Sequence, residues 1–256
     1  MQFIAECGIE YGCQIVTPFS LNPPDCLYTK KECEILQSYE KIMYLCSVNE
    51  KKYLQSLISQ GEHQQQDFKY KVQDAVKLAR SVSAFANTDG GRLLIGVRDD
   101  GHLSGVRSEE EIYMMHQAAY RYCQPEASIK FDTYHVEGRT IVIATVPPSP
   151  RKPIYALDGE GNRRAYIRIA DENILASPVH LQLWRQETSS KGQILQYGDS
   201  ERQLLATLQT ATHELTLNQL VRLSRLPRQK VIRLLAHFIR YGLVTCQFSD
   251  RNFLFR

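Results

Sequence analysis

The stretch AFANTDGGRLLIGVRDDGHLSGV, residues 84–106, decides how the rest of this chain is interpreted. The segment that leads into it, 74–86, carries Ala, Val and Ser at helical spacing, which predicts a helix with a small-residue face packed closely against a sheet. Asn87 and the glycine pair that follows it end this helix, because Asn and Gly readily adopt the left-handed conformation. Residues 92–98 then predict a strand, which an Asp-Asp-Gly turn closes.

The patterns on either side of this core place helices early and hairpins late. Helices that alternate with strands, followed by antiparallel hairpins, predict an α+β fold with a mixed sheet. The predicted elements are a helix at 49–59, a strand at 67–72, a helix at 109–123, hairpins at 129–135 with 140–146 and at 154–157 with 164–169, and a helix at 178–186.

The charge distribution separates the C-terminal part of the chain from the rest. After a polar linker at 188–199, residues 200–256 contain nine Arg or Lys and three acids, a net charge of +6. The remainder of the chain carries −3, so the whole protein has a formal net charge of only +3. This asymmetry indicates a polyanionic partner for the C-terminal part.

The basic C-terminal segment predicts three helices followed by a two-stranded wing. Pro227 opens the third helix, and that helix has one apolar stripe opposite a basic side. The run LTLNQLVRLSRLPRQKVIRLLAHFIRYGLV resembles winged-helix transcription regulators, in which the proline-opened helix enters the major groove. Arg228 and Gln229 are the candidates for base contact, and the other basic groups for phosphate contact. The helices are expected at 201–208, 217–223 and 228–241, with the wing at 243–247 and 253–256; the candidate nucleic-acid contacts are Arg228, Gln229, Lys230, Arg233, Arg240 and Arg251.

The first 47 residues differ from the rest of the chain. They hold five of the seven cysteines at gaps that fit neither a disulfide framework nor a zinc site, and they lack a sustained period. We expect an irregular, loosely attached extension, or an upstream read-through with the functional start near Val48.

Composition and motif searches exclude several classes of function. An apolar content of 43% favours packed cores, and no run approaches the length of a membrane span. The start of the chain is a poor signal peptide, so a cytoplasmic protein is expected. No phosphate-binding P-loop, serine hydrolase elbow or paired zinc histidines are present, so no cofactor is expected. The Gly90-Gly91 backbone could still meet a phosphate, although a packing role is favoured.

Three sequence features together resemble a known family. They are Glu62-x4-Asp67-Phe68-Lys69, the 84–106 core and Tyr166-Ile-Arg168. Over roughly 48–185 the chain resembles the Schlafen AlbA-type DNA-binding domain, found in bacterial regulators and in Schlafen proteins. The resemblance therefore implies a Schlafen AlbA-like domain at 48–187, between the extension at 1–47 and the winged helix at 200–256.

The family resemblance also implies an alternative, catalytic function. In Schlafen-type nucleases, three carboxylates take part in metal-dependent RNA cleavage, and the matching positions here are Glu62, Asp67 and Asp99, with Asp100 as a substitute for the third. Such a cluster would bind Mg²⁺ or Mn²⁺, and Lys69 would contact phosphate. However, Asp67 stands where the family usually has Glu, which shortens the reach of that side chain. The same acids can equally be ordinary edge-strand charges and turn residues, and this interpretation is favoured.

The sequence therefore favours a DNA-binding transcriptional regulator over a divalent-metal-dependent ribonuclease. The expected partner is duplex DNA, with RNA as the alternative and no membrane. Schlafen nucleases enclose nucleic acid between two such lobes of one chain, and this chain has one. The resemblance thus implies a homodimer formed through the central domain.

Overall fold

The computed structural model describes Ser38 and residues 48–106, 109–188 and 197–256. The predicted N-terminal extension, apart from Ser38, and most of the predicted linker lie outside the described residues. The chain divides into two compact units, 1–49 and 50–256. Apart from the start of the first helix, every helix and strand described below belongs to the second unit.

Two four-stranded sheets and four helices make up the central part of this unit. One sheet has the order β1-β2-β5-β4 and is mixed, because β1 and β2 are parallel; the other is antiparallel with the order β3-β6-β7-β8. The predicted α+β fold with a mixed sheet is therefore confirmed. The elements are α1, which ends at residue 58, β1 Gln66–Lys69, α2 Ala75–Asn87, β2 Gly91–Ile95, α3 Glu109–Tyr120, β3 Cys123–Gln124, β4 Lys130–Val136, β5 Arg139–Val146, β6 Tyr155–Leu157, β7 Arg163–Ile169, β8 Glu172–Leu175 and α4 Pro178–Glu187.

Helix α2 is the buried centre of this arrangement. Asp74 caps its first turn by accepting hydrogen bonds from the amides of Val76 and Lys77. Ten of its 13 residues are buried, and its apolar side chains share one core with strands of both sheets. The small residues of α2 allow this close packing on several sides. The sequence prediction of a small-residue face against a sheet is confirmed.

Strands β1 and β2 are shorter than their sequence patterns predict. Strand β1 ends at Lys69 rather than at residue 72, and β2 ends at Ile95 rather than at 98. Gly96 follows with φ +90°, and a Cβ there would meet the backbone of Gly105. The close approach of these two glycines therefore turns the chain away from the sheet. Strands β3 and β8 were not predicted, because one has two residues and the other has four residues without alternation of polar and apolar side chains.

The C-terminal part has the order helix, strand, helix, helix and a two-stranded ribbon. Strand β9 pairs with the last strand, which makes the ribbon three-stranded. This is the order of elements that the winged-helix prediction requires, with β9 added. The elements are α5 Asp199–Thr210, β9 Leu215–Thr216, α6 Leu217–Ser224, α7 Arg228–Arg240, β10 Cys246–Ser249 and β11 Asn252–Phe255.

Helix α4 belongs to two hydrophobic cores at once. Val179 packs in the core formed by α5, α6, α7 and β11, whereas Trp184 packs with Ala165 and Ile167 of β7. The ring of His180 also lies 4.8 Å from the ring of Phe253 in β11. α4 therefore ties the central sheets to the C-terminal helices.

Across the described part of the chain, none of the helices combines the length and the apolar character that crossing a membrane would need.

Candidate nucleic-acid interface

The end of α2 in the family core has a packing role. The Asn87 amide donates to the carbonyl oxygens of Ile154 and Tyr166 at 2.8 and 2.9 Å, and its Oδ1 accepts from the Ile154 amide at 2.7 Å. A Cβ at Gly91 would collide with the ring of Phe85. The side chain of Asn87 and the missing side chain of Gly91 thus hold the second sheet and the first sheet against α2. This agrees with the packing role that the sequence favoured for these positions.

Strand β1 lies at the edge of the mixed sheet, and side chains cover that edge. Gln66 and Phe68 point their amides and carbonyls away from β2, since Asp67 and Lys69 face the parallel partner. All four outward groups have a partner. The Gln66 amide donates to His63 O at 3.1 Å, Gln66 O accepts from Arg168 Nη2 at 3.2 Å, the Phe68 amide donates to Glu62 Oε1 at 2.8 Å, and Phe68 O accepts from Lys69 Nζ at 2.9 Å. This edge is therefore closed to further strands.

Asp67 is buried between two cations. Its Oδ2 lies 2.6 Å from Lys69 Nζ and its Oδ1 lies 3.4 Å from Arg168 Nη2. Arg168 is only 2% exposed, its Nη1 donates to Asn173 Oδ1 at 3.0 Å, and its guanidinium lies 5.2 Å from the centre of the Phe85 ring. A buried carboxylate stays ionised when cations compensate its lost hydration. Lys69 and Arg168 therefore act as the counterions of Asp67.

Glu62 lies beside this group but faces solvent. Its pKa is raised, first because part of the carboxyl is desolvated and second because it hydrogen-bonds to the Asp67 side chain. The hydrogen bond from the Phe68 amide and the charge of Lys69 act in the opposite direction. The structure thus brings Glu62 and Asp67 together, as the sequence suggested.

The third carboxylate of the implied metal site lies in an exposed turn. Asp99 is exposed, and its neighbour Asp100 accepts a hydrogen bond from the His102 amide at 3.0 Å. Among the residues that the structure describes, no three His, Cys, Asp or Glu side chains are grouped so that they could hold a metal ion. Since the Asp67 oxygens already face Lys69 and Arg168, the described residues do not fit a divalent-metal site as arranged.

The predicted recognition helix α7 presents two different sides. Val231, Leu235 and Phe238 are buried in the C-terminal core. Arg228, Gln229 and Arg233 are exposed on the other side. Arg228 Nη1 donates to Asn218 Oδ1 of α6 at 2.6 Å, which fixes the direction of this guanidinium. The predicted base-contacting pair therefore lies at the exposed N-terminal end of the helix.

The other candidate contacts of this region differ from one another. Lys230 Nζ lies 3.5 Å from Glu201 Oε1, and Arg240 Nη1 donates to Gln186 O at the end of α4 at 2.8 Å. Arg251 is exposed in the turn of the β10–β11 ribbon with φ +61°. Arg240 thus has a structural contact that its sequence position does not reveal. The sequence also missed Asn218 as the residue that orients Arg228, and no local signal marks it.

The match to a family model supports the resemblance that the 84–106 segment indicates. Residues 62–177 match the model of the family described as "Schlafen, AlbA_2". No match was found among curated proteins. The crystal structure of the DIP2311 protein from Corynebacterium diphtheriae is similar at 19% identity and a TM-score of 0.41 over 75% of this chain, which covers 34% of that protein. The solution structure of the N-terminal domain of a protein from Nitrosomonas europaea, described as related to the ATP-dependent DNA helicase RecG, is similar at 21% identity and a TM-score of 0.35, over 56% of this chain and 95% of that domain.

The aligned part of the Corynebacterium protein is thus about a third of its length. The match to the family model covers β1, α2, β2 and all the strands through β8. It includes the buried ion group of Asp67 and Arg168 and the packing residues Asn87 and Gly91. Residues 62–177 of this chain are thus similar to the Schlafen AlbA_2 family.

Proposed function

We propose that this protein binds nucleic acid and acts as a cytoplasmic DNA-binding transcriptional regulator, in which α7 is the recognition helix of a C-terminal winged helix. The observation that carries the proposal is the exposed group of Arg228, Gln229 and Arg233 at the start of a helix whose opposite side is buried. A major groove admits one helix, and Arg and Gln at its start can reach base edges.

The charge of the surrounding module supports the same assignment. Residues 200–256 carry a net charge of +6, and most of their basic side chains are exposed. Phosphate contacts by such side chains release counterions, which makes binding sensitive to salt. The Schlafen AlbA_2 domain is expected to add a second contact or to sense a ligand. The domain limits of 48–187 and 200–256 are part of this proposal.

Fluorescence anisotropy with labelled duplex DNA tests the proposal. Arg228→Ala and Arg233→Ala should each lower the affinity by about 1–3 kcal/mol if the side chain makes a bidentate base contact. Arg202→Ala in α5 is the matched control, because it removes the same charge from the same module at a position outside α7. Affinity should also fall steeply as the salt concentration rises. Unchanged affinity in both α7 variants would remove the recognition-helix assignment.

The ribonuclease alternative requires a separate arm of the same experiment. A stem-loop RNA is incubated with the protein with and without Mn²⁺, and Glu62→Gln serves as the variant. Fragments that disappear in Glu62→Gln would favour the nuclease over the regulator. We do not propose this activity, because among the described residues no third metal-ligating side chain joins Glu62 and Asp67, and Asp67 faces two cations.

A further inference from the structure

Among the described residues, nothing covers the second edge of the mixed sheet, whereas side chains cover the first. β4 pairs with β5 on one side, and β4 is the last strand of the sheet. The two-residue turn after Val136 makes Val136 and Arg139 a hydrogen-bonded pair, so the alternate residues of β4 point their backbone groups away from β5. These residues are Phe131, Thr133 and His135. Consistently, the carbonyl of Thr140, opposite His135, accepts a hydrogen bond from the Val106 amide instead.

The outward backbone groups of β4 have no partner within residues 48–106, 109–188 and 197–256. The strand has seven residues and no proline or bulge, and most of its side chains are exposed. On β1, four side-chain and turn contacts close the corresponding groups. A long open edge of this kind is a template for another strand.

An exposed aromatic surface lies next to this open edge. Tyr113, His116 and Tyr120 follow one side of α3 at helical spacing, and the two tyrosines are 62% and 46% exposed. The His116 ring lies 4.5 Å from the ring of Phe131 in β4 and is stacked on Tyr120 at 5.9 Å. Aromatic side chains are enriched in protein interfaces. The α3 aromatic face and the β4 edge are therefore one continuous surface.

We propose that this surface binds a second copy of the chain, with β4 pairing antiparallel to β4 of the other copy about a two-fold axis at Thr133. In this register all seven residues of β4 are paired, and the outward groups of Phe131, Thr133 and His135 all find partners. The sheets of two copies then form one continuous eight-stranded sheet.

The side chains of β4 favour self-pairing in this register. Phe131 faces His135, Asp132 faces Tyr134 and Lys130 faces Val136 of the second copy, so no like charges stand directly opposite each other. The two Asp132 carboxylates lie diagonally, with roughly 7 Å between their Cβ atoms. A shift that centres the pairing on Asp132 would instead place these two acids face to face. Charge thus selects the Thr133 register over that neighbour.

The two-fold axis also explains the α3 aromatic face. The axis runs perpendicular to the sheet, so both α3 helices lie on the same side of the continuous sheet and flank the β4–β4 seam. The exposed tyrosines on that side are then covered by the second copy. The inference does not depend on the proposed function, since it rests on the sheet edge and not on α7.

Sedimentation velocity of the full chain tests the pairing. The wild-type protein should be a dimer at tens of micromolar. Thr133→Pro removes an outward amide without touching the β4–β5 hydrogen bonds, so it should raise the dimer dissociation constant by about tenfold or more. Thr133→Val, which keeps the amide and the shape, is the control and should remain dimeric. Thermal unfolding of both variants checks that the fold is intact.

A charge-swap experiment tests the axis itself. Thr133 faces its own copy, so Thr133→Lys and Thr133→Glu should each be monomeric through self-repulsion, and their equimolar mixture should form a heterodimer. A monomeric wild-type protein would overturn the proposal. So would a dimer that survives Thr133→Pro and Thr133→Lys, or two folded monomeric charge variants that do not associate when mixed.

Discussion

The basic residues around β1 and those along α7 have different surroundings, although Lys69 and Arg228 are both predicted from the sequence to contact nucleic acid. Lys69 and Arg168 face the buried Asp67 and the backbone of an edge strand. Arg228 and Arg233 are exposed on a helix whose other side is buried.

The difference shows that residue type does not decide the role of a cation. A guanidinium whose hydrogen bonds are taken up inside the protein has little left to offer a phosphate, whereas an exposed one keeps most of its donors. A basic side chain that is buried next to an acid is therefore expected to have a structural role. A basic side chain that is exposed near the start of a helix is expected to take part in binding.

The largest expected effect comes from the buried cation. Arg168→Met leaves Asp67 with Lys69 alone and removes two hydrogen bonds, so the free energy of unfolding should fall by about 3–5 kcal/mol. Arg233→Met should change it by less than about 0.5 kcal/mol, because that side chain is exposed. Urea unfolding followed by circular dichroism measures both. Equal stability of the two variants would show that the buried ion group does not hold the fold together.

A smaller effect is expected at the junction between the two regions. Burial lowers the pKa of His180 to about 4, below its ordinary value of 6.5. The neutral ring is therefore favoured in the folded state. The contribution of this neutral ring to the free energy of unfolding is fully present above pH 6.5 and is lost as the pH falls towards 4. The loss approaches about 3 kcal/mol, since each pKa unit corresponds to about 1.4 kcal/mol.

The His180 prediction is checked by urea unfolding at a series of pH values between 4 and 7.5. His180→Gln should flatten the curve in this range, because a neutral side chain does not titrate. A wild-type curve without a slope below pH 6.5 would contradict the prediction.

The smallest effect distinguishes two arginines of the same helix. Arg240 donates to Gln186 O, so Arg240→Ala should cost about 1 kcal/mol of stability and change DNA affinity little. Arg233→Ala should change the free energy of unfolding little and should lower the DNA affinity. Unfolding and anisotropy measured on the same samples separate the two roles. If Arg240→Ala weakened DNA binding as much as Arg233→Ala, the DNA-contacting surface of α7 would also include the C-terminal end of this helix.

Local patterns were enough to predict much of this fold. The β4–β5 hairpin was predicted from Glu137-Gly138, and both residues have positive φ, at 54° and 70°. The limits of α2 were predicted to within one residue from its small residues and from Asn87 and the glycines after it. The family core was read correctly for the same reason, since its signals lie within about 20 residues.

Contacts between distant residues could not be predicted. Arg168 reaches Gln66 across 102 residues, and Arg240 reaches Gln186 across 54. Each side chain is indistinguishable in sequence from an exposed arginine. The short strands β3 and β9 were missed because two residues carry no alternation. The same limit applies to Asp67, whose burial between two cations depends on how the sheets pack.

The double membership of α4 has a consequence for how such chains can be recombined. The polar segment after residue 188 is the obvious place to divide the chain. A C-terminal fragment that begins there, however, would lack Val179 and Leu183, which pack in its core. The core of the C-terminal helices would lose the α4 side chains that pack against it. The N-terminal fragment would expose these apolar side chains of α4 to solvent. A transplantable C-terminal unit must therefore begin before α4, at its N-cap residue Ser177.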